Sequence, residues 1–170
     1  AADNFIIRGT PYAQGLLLRN LLDQGVQAVG DPTQCHAIAV DARAPKFDGG
    51  IVTRLDCIPF SIVVNRMGKR FYDEGEELWP KRYAIWGRLI AQQPEQIAFS
   101  ITDAKCESLF MPSIFPAVQE DSIEGLAHAF GMEPAVLEAT VLEYNNSVRG
   151  GTFNHKALDD CKTGGIVPPK

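Results

Sequence analysis

The chain of 170 residues lacks several patterns that mark common classes of protein. No apolar run approaches the roughly 18 residues that a membrane-spanning helix needs, so a transmembrane segment is not expected. There is no CxxC pair, and the four cysteines are spaced too widely for a zinc knuckle or a small disulfide scaffold. The three histidines share no metal-ligand spacing either. We therefore expect reduced thiols, a cytoplasmic location and no metal site.

The motifs of several enzyme classes are also missing. The chain contains no GxGxxG, GxxxxGKS/T, GxSxG or HExxH, which argues against a nucleotide cradle, a nucleophile elbow or a zinc-protease helix within it. Acidic residues outnumber basic ones by 21 to 16, for a net charge of -5. A net negative chain is poorly suited to neutralising phosphates, so nucleic acid is not an expected partner.

What is present is typical of a folded globular domain, with 45% apolar and 22% charged residues. This length fits one compact domain, which we assign to residues 1–150, followed by a loop or frayed tail at residues 151–170. The first residues, Ala1 to Asn4, show neither an initiator Met nor the charged-then-apolar order of a signal peptide. The sequence is therefore expected to be a piece of a longer protein.

Hydrophobic periodicity predicts both helices and strands. Helices are expected at residues 12–24, 81–92, 122–130 and 134–148, with Asp121 as the N-cap of the third. Strands are expected at residues 35–41, 51–55, 59–65 and 97–102, with a hairpin turn at residues 66–69 in which Gly68 takes a positive φ. The predicted fold is α+β, one domain with a small mixed or antiparallel sheet packed on three or four helices.

Basic residues are concentrated in the middle of the chain. Residues 43–88 hold nine basic and six acidic residues, whereas the rest of the chain holds seven basic and fifteen acidic residues. One interpretation is a site in which guanidinium groups bind a small anion. The other is a solvated surface on which these cations pair with Glu74, Glu76 and Glu77. From charge alone the two interpretations are equally good.

Three sequence patterns occur in a specific order. They are QxH at residues 34–36, a Gly-Gly pair leading to Thr53 and Arg54 at residues 49–54, and VNRxGxRFxxE at residues 64–74. Together they resemble the cap (substrate) domain of the succinate dehydrogenase/fumarate reductase flavoprotein family, and the resemblance extends over most of the chain. Residues 44–56 and 79–88 are most similar to the family members that oxidise tricarballylate.

The resemblance implies that the chain closes over a small polycarboxylate at the border with a separate FAD-binding domain. The implied reaction is dehydrogenation, with tricarballylate to cis-aconitate as the first choice, in which a hydride passes to flavin and a proton to the protein. FAD would be bound by segments before residue 1 and after residue 170, so no cofactor-binding residue is expected here and the isolated chain is expected to be inactive. A membrane-associated electron-transfer protein is a further implied partner.

The resemblance also assigns substrate-binding residues. His36 and Thr53 stand where family members contact substrate carboxylates. Arg54 replaces a family glutamate that relays protons. Because tricarballylate carries one more carboxylate than succinate, a guanidinium at this position is expected to bind the third negative charge.

The route of the proton is less defined by the resemblance. Cys57 stands where the family relay continues with an arginine, so Asp56 or Glu74 is expected to substitute. Arg82 is the predicted catalytic residue, transferring the proton, with Lys81 as the neighbouring alternative. An arginine acts in this way only beside a carboxylate and away from solvent.

Alternatives to this interpretation remain open. One is a family relative acting on succinate or fumarate, or the related flavoprotein of cobalamin synthesis. The others are a non-catalytic module that binds a small anion, and an interaction domain that uses a surface around Trp79 and Trp86. The flavin content of the longer polypeptide separates the flavoproteins from the rest.

Overall fold

The computed structural model describes residues 5–47, 49, 51–76, 83–157 and 161–170. Within these ranges the backbone forms four α-helices and two antiparallel sheets of two strands each, so the fold is α+β as predicted. The helices are α1 (Leu16–Asp23), α2 (Trp86–Ala91), α3 (Ile123–Phe130) and α4 (Pro134–Ser147). The strands are β1 (Ile62–Asn65), β2 (Ala98–Ile101), β3 (Val148–Arg149) and β4 (Lys162–Thr163).

The sheet formed by β1 and β2 lies at the centre of the fold. Ile62 pairs with Ile101 and Asn65 with Ala98, and the β-branched residues of β1 favour this extended backbone. The hairpin turn after β1 is confirmed, because Gly68 has φ 71 and its N–H donates to the Asn65 carbonyl at 2.9 Å. The returning chain forms an isolated bridge between Val64 and Arg70 instead of a full strand.

Neighbouring residues of β1 enter two separate hydrophobic cores, since side chains alternate across a strand. Val63 packs on one face with a cluster comprising Ala39, Ile58 and Trp86. Val64 packs on the other face with a cluster comprising Ala127, Met132 and Leu137 from α3, α4 and their connection. β1 therefore joins the half of the molecule that carries α2 to the half that carries α3 and α4.

Trp86 belongs to the interior of the protein. It is 2% exposed and meets the rings of Phe71 and Tyr72 edge-on, with centroids 6.0 and 5.8 Å away. The prediction that Trp86 contributes to an interaction surface is therefore wrong, because its indole is covered by the chain's own aromatic residues. Trp79 lies outside the described residues.

Three predicted elements in the first third of the chain differ in the structure. α1 begins at Leu16, because Gly15 has φ 74 and cannot continue a right-handed helix. The segment predicted as a strand at residues 35–41 is extended, yet it forms one isolated bridge, between Val40 and Arg54. The predicted strand at residues 51–55 begins instead as the 3₁₀ turn Ile51–Thr53.

The carboxyl-terminal residues 161–170 fold back onto the protein. β4 pairs with β3, Ile166 is buried, and the Pro168 and Pro169 carbonyls accept hydrogen bonds from Arg70 at 2.7 and 3.0 Å. Residues 161–170 are mainly loop, one of the two alternatives expected, and they are not frayed, because the distant Arg70 guanidinium binds their backbone carbonyls. The described residues include no helix with the length and apolar content to cross a bilayer.

The cap of α3 also differs from the prediction. The Ser122 hydroxyl accepts a hydrogen bond from the Gly125 N–H at 3.0 Å, so Ser122 and not Asp121 is the N-cap. Both residue types suit this position, and the helix start differs by one residue.

Candidate functional site

Gly87 allows the chain around His36 to lie directly against the start of α2. The Gly87 N–H donates to the Ala37 carbonyl at 2.8 Å, and the Ala37 N–H donates to the Ala84 carbonyl at 3.0 Å. A Cβ on residue 87 would lie 2.7 Å from the carbonyl carbon of Ala37 and 2.8 Å from the Ile38 oxygen. Glycine is therefore required for this contact, which brings His36 next to the 3₁₀ turn Tyr83–Ile85.

The ring of Tyr83 contacts two of the predicted substrate-binding side chains. The imidazole of His36 meets it edge-on, with ring centroids 5.1 Å apart. The guanidinium carbon of Arg54 lies 5.3 Å from the centre of the same ring, within the range of a cation–π contact. We call His36, Arg54, Asp56 and Tyr83 the Tyr83 cluster.

Asp56 fixes one edge of the Arg54 guanidinium. Arg54 donates from Nε and Nη2 to the two carboxylate oxygens of Asp56, at 2.6 and 2.7 Å. The two side chains keep only 22% and 10% of their exposure, and the hydrogen bond to Asp56 raises the pKa of Arg54 above its ordinary value. The pair leaves the Nη1 donors of Arg54 without a hydrogen-bond partner among the described residues. Arg54 is thus a permanently charged donor of fixed orientation, suited to an anion.

Thr53 is adjacent to Arg54 but is buried in the chain. Its hydroxyl donates to the Gly49 carbonyl at 3.0 Å, and its own carbonyl accepts the Asp41 N–H at 2.8 Å. In this geometry the Thr53 hydroxyl stabilises the loop before it. To contact a substrate carboxylate as predicted, the Thr53 hydroxyl would have to break its hydrogen bond to the Gly49 carbonyl.

Glu74 lies in a different environment from the Tyr83 cluster. It accepts hydrogen bonds from Arg70 at 3.0 and 2.5 Å and from the Val63 N–H at 2.8 Å. These bonds connect the hairpin to β1, and none of them reaches the Tyr83 cluster. Of the two relay candidates, the structure places Asp56 in the cluster and Glu74 outside it.

The predicted proton-transferring residue, Arg82, and its alternative, Lys81, lie outside the described residues. Their roles stay predictions. Tyr83 follows them directly in sequence, so the Tyr83 cluster adjoins this part of the chain.

Cys57, which the resemblance predicts at the next relay position, is a half-buried thiol. Its Sγ lies 3.2 Å from the Ser100 hydroxyl, which in turn donates to the Ser61 hydroxyl at 2.7 Å. Burial raises the pKa of the Cys57 thiol, so the thiol stays protonated at neutral pH. It is therefore poorly suited to carry a proton through this position.

Three further arginines of the basic middle are paired with carboxylates. Arg43 binds Asp41 at 2.6 Å, Arg66 binds Glu95 at 3.5 Å, and Arg70 binds Glu74 at 2.5 Å. The interpretation of the basic region as paired cations therefore holds for these residues, although the partners include Asp41 and Glu95, which sequence reasoning did not select.

Sequence reasoning assigned no role to two residues beside His36. Tyr83 lies within the helix predicted at residues 81–92 and within the run of residues 79–88 that carries the resemblance. Arg88 donates from Nη1 to the Gln34 side-chain oxygen, and its buried Nε has no hydrogen-bond partner among the described residues. Alternation along residues 34–36 could have shown that Gln34 and His36 share one face.

Comparison with known proteins gives no match. No family model, curated protein or solved structure is similar to this chain. The Tyr83 cluster therefore has to be interpreted from its own residues and from the motifs quoted above.

The described residues do not fit an FAD on their own. A dinucleotide cradle needs a strand of a parallel sheet, a glycine-rich turn and the start of a helix, whereas both sheets in the described ranges are antiparallel. The same ranges contain no group of three or more His, Cys, Asp and Glu side chains that could hold a metal ion.

Proposed function

We propose that this chain is the substrate-capping part of a cytoplasmic FAD-dependent dehydrogenase that oxidises a small polycarboxylate, with tricarballylate to cis-aconitate as the first choice. The observation that carries the proposal is the Tyr83 cluster, in which His36 and Arg54 contact one aromatic ring. Two cationic or donor groups at one place suit a ligand with more than one carboxylate. The order of the sequence motifs supplies the reaction class, that of a tricarballylate dehydrogenase.

The chain's own part in this reaction is to bind and orient the substrate. Arg54 would donate from Nη1 to one carboxylate while Asp56 holds the opposite edge of the guanidinium. A desolvated contact of this kind contributes about 1.5–3 kcal/mol to binding. His36 would donate to a second carboxylate. Arg82 is the proposed residue that takes the substrate proton, which requires that its guanidinium first passes a proton to a neighbouring carboxylate and becomes neutral. Dehydrogenation needs FAD, which the proposal assigns to another domain of the longer protein.

Two partners belong to the proposal besides the substrate. The FAD-binding domain of the same protein would meet this chain across the substrate, excluding water from the reacting bond. A membrane-associated electron-transfer protein would accept the electrons. Family relatives that act on succinate or fumarate, or in cobalamin synthesis, are the alternatives within the same class.

A small-anion-binding module without catalysis is the second candidate function. It is favoured because the contacts that orient Arg54, with Asp56 and with the Tyr83 ring, are all made by residues of this chain. Such a module would bind the same ligands in the absence of any flavin.

The flavin content of two polypeptides tests the proposed class. The longer protein from which this chain is taken, purified natively, is expected to hold about one FAD per polypeptide, and the 170-residue chain none. A longer protein without flavin would contradict the proposal and leave the anion-binding module. Flavin bound in stoichiometric amount to the 170-residue chain would contradict the assignment of FAD to another domain.

A further inference from the structure

Tyr83 connects the two side chains that the proposed function uses to bind carboxylates. Resting on that proposed function, we propose that Tyr83 is a positioning residue that orients Arg54 and His36 together and so determines the preference for a tricarboxylate over a dicarboxylate. The ring of Tyr83 performs this role, and its hydroxyl is not required for it.

The orientation of Arg54 depends on two contacts, one with Asp56 and one with Tyr83. The bidentate contact with Asp56 fixes the position of the guanidinium along one edge, and the Tyr83 ring, 5.3 Å from the guanidinium carbon, limits movement of the group toward that side. Together they direct the remaining nitrogen, Nη1. With 22% of its side chain exposed, Arg54 has room to swing about the Asp56 contact if the ring is removed.

The orientation of His36 depends on Tyr83 more strongly. The backbone beside His36 is held by Gly87 and Ala84 through Ala37, but the imidazole itself is exposed. Its contact with the Tyr83 ring, at 5.1 Å and an interplanar angle of 70°, is the ring contact that the structure gives it. An exposed imidazole without this contact would sample several rotamers.

Tyr83 is itself well placed to be rigid. It begins the 3₁₀ turn Tyr83–Ile85, which leads directly into α2, and the next residue, Ala84, accepts the Ala37 N–H. The same backbone contact therefore sets the distance between the Tyr83 ring and the His36 segment. A substrate carboxylate at Arg54 and another at His36 would then have a separation fixed by one side chain.

The role of Asp56 follows from the same geometry. Both of its carboxylate oxygens accept hydrogen bonds from Arg54, which suits an orienting partner of that guanidinium. Asp56 and Tyr83 thus act on different sides of one cation, and loss of either is expected to weaken the same carboxylate contact.

The first test measures positioning without any enzyme activity. In NMR spectra of the 170-residue chain, the His36 ring protons are expected to show a ring-current shift that Tyr83→Phe retains and Tyr83→Leu removes. The Arg54 Nε–H is expected to exchange faster with water in Tyr83→Leu only. Unchanged His36 shifts and Arg54 exchange in Tyr83→Leu would overturn the positioning role.

The second test measures specificity in the flavin-loaded longer protein. Tyr83→Leu is expected to raise the KM for tricarballylate relative to that for succinate by roughly tenfold, with a smaller change in kcat, whereas Tyr83→Phe retains the wild-type ratio. An unchanged ratio in Tyr83→Leu, or an equal loss in Tyr83→Phe, would overturn the inference. Flavin content and the thermal unfolding midpoint check that each variant is folded.

A double variant keeps the inference testable if Tyr83→Leu is unstable. Arg54→Lys keeps the charge but loses the fork to Asp56, and with Tyr83 intact it is expected to raise the same KM ratio, that of tricarballylate to succinate. If Tyr83 acts through Arg54, then Tyr83→Met, which removes the ring but keeps a large apolar side chain, raises this ratio no further when it is combined with Arg54→Lys than Arg54→Lys does alone, and a further rise would contradict this. A wild-type protein reduced by no polycarboxylate would refute the proposed function itself, while the NMR comparison would still decide whether Tyr83 orients the two side chains.

Discussion

The side chains of Arg70 and Glu74 form a bidentate ion pair that is almost completely buried, with 3% and 0% of their surfaces exposed. Arg70 also donates to the Pro168 and Pro169 carbonyls, and Glu74 accepts the Val63 N–H. One ion pair therefore connects the hairpin, β1 and the carboxyl-terminal segment.

Removing the charge of Glu74 is expected to destabilise the chain strongly. Glu74→Gln leaves the Arg70 guanidinium buried without a compensating charge, which costs about 3–5 kcal/mol of unfolding free energy. Urea unfolding measures this loss. Glu138→Gln, at an exposed position on α4, is the matched control and should change the unfolding free energy by less than about 0.5 kcal/mol. Equal effects of the two variants would show that the ion pair is not buried as described.

The core between β1 and α4 gives a second prediction. Leu137 is 0% exposed and Leu142, on the same helix, is 61% exposed. Leu137→Ala is expected to lower the unfolding free energy by about 2–5 kcal/mol, because it leaves a cavity beside Val64. Leu142→Ala serves as the control and is expected to cost below about 1 kcal/mol. A larger loss in Leu142→Ala would mean that α4 packs with its other face inward.

The expected effect of Gly87→Ala on the unfolding free energy is opposite to the one that helix propensity predicts. Alanine normally stabilises a helix by up to about 1 kcal/mol over glycine, but here the added Cβ would clash with the Ala37 backbone. Gly87→Ala is therefore expected to lower the unfolding free energy by about 1–3 kcal/mol and to shift the NMR signals of His36. At Gly150 a Cβ would meet nothing within 4 Å, so Gly150→Ala is a control without a clash. Stabilisation by Gly87→Ala would contradict the close contact.

The pair of Asp41 and Arg43 predicts a dependence of stability on pH. Hydrogen bonds from the Arg43 side chain hold the pKa of Asp41 below its ordinary value, against the opposing effect of burial. The folded protein then binds fewer protons than the unfolded chain, so the contribution of the pair is complete above the ordinary aspartate pKa of about 3.9 and is lost as pH falls through the lower, folded value.

Asp41→Asn is expected to reduce stability at pH 7 by about 1 kcal/mol, since Arg43 is half exposed. It is also expected to make the unfolding free energy decrease less steeply as the pH falls below about 4. Urea unfolding at a series of pH values measures both effects, with the exposed Asp121→Asn as control. If the unfolding free energy of Asp41→Asn decreased as steeply at acidic pH as that of the wild type, the pair would not contribute to the pH dependence.

The parts of the fold that local signals determine were predicted well. The α+β class, the strand around Val63, the turn at Gly68 and the helix beginning at Pro134 follow from alternation, backbone freedom and helix-start chemistry. For residues 161–170 the choice between a loop and a frayed tail could not be made from the sequence, because the contact that orders them comes from Arg70, which is distant in sequence. The composition of residues 161–170 cannot predict a contact with a residue so far away in the sequence.

The candidate site was predictable in its members and less so in their arrangement. His36, Arg54 and Asp56 were selected from motifs, and the structure brings them together around Tyr83. The buried position of Thr53 depends on the 3₁₀ turn that replaced an expected strand. Glu74 was named as a substitute for the relay position that Cys57 occupies, but its partner is the buried Arg70.

Anaerobic flavin spectroscopy on the longer protein tests the central claim most directly. Tricarballylate and succinate are titrated separately, with Arg54→Ala as the variant and Arg43→Ala, a half-exposed arginine paired with Asp41, as the control. The account predicts bleaching of the wild-type and Arg43→Ala flavin at lower concentrations of tricarballylate than of succinate, and loss of the tricarballylate response in Arg54→Ala. Bleaching of the wild type by succinate alone, or of Arg54→Ala by tricarballylate at wild-type concentrations, would contradict it.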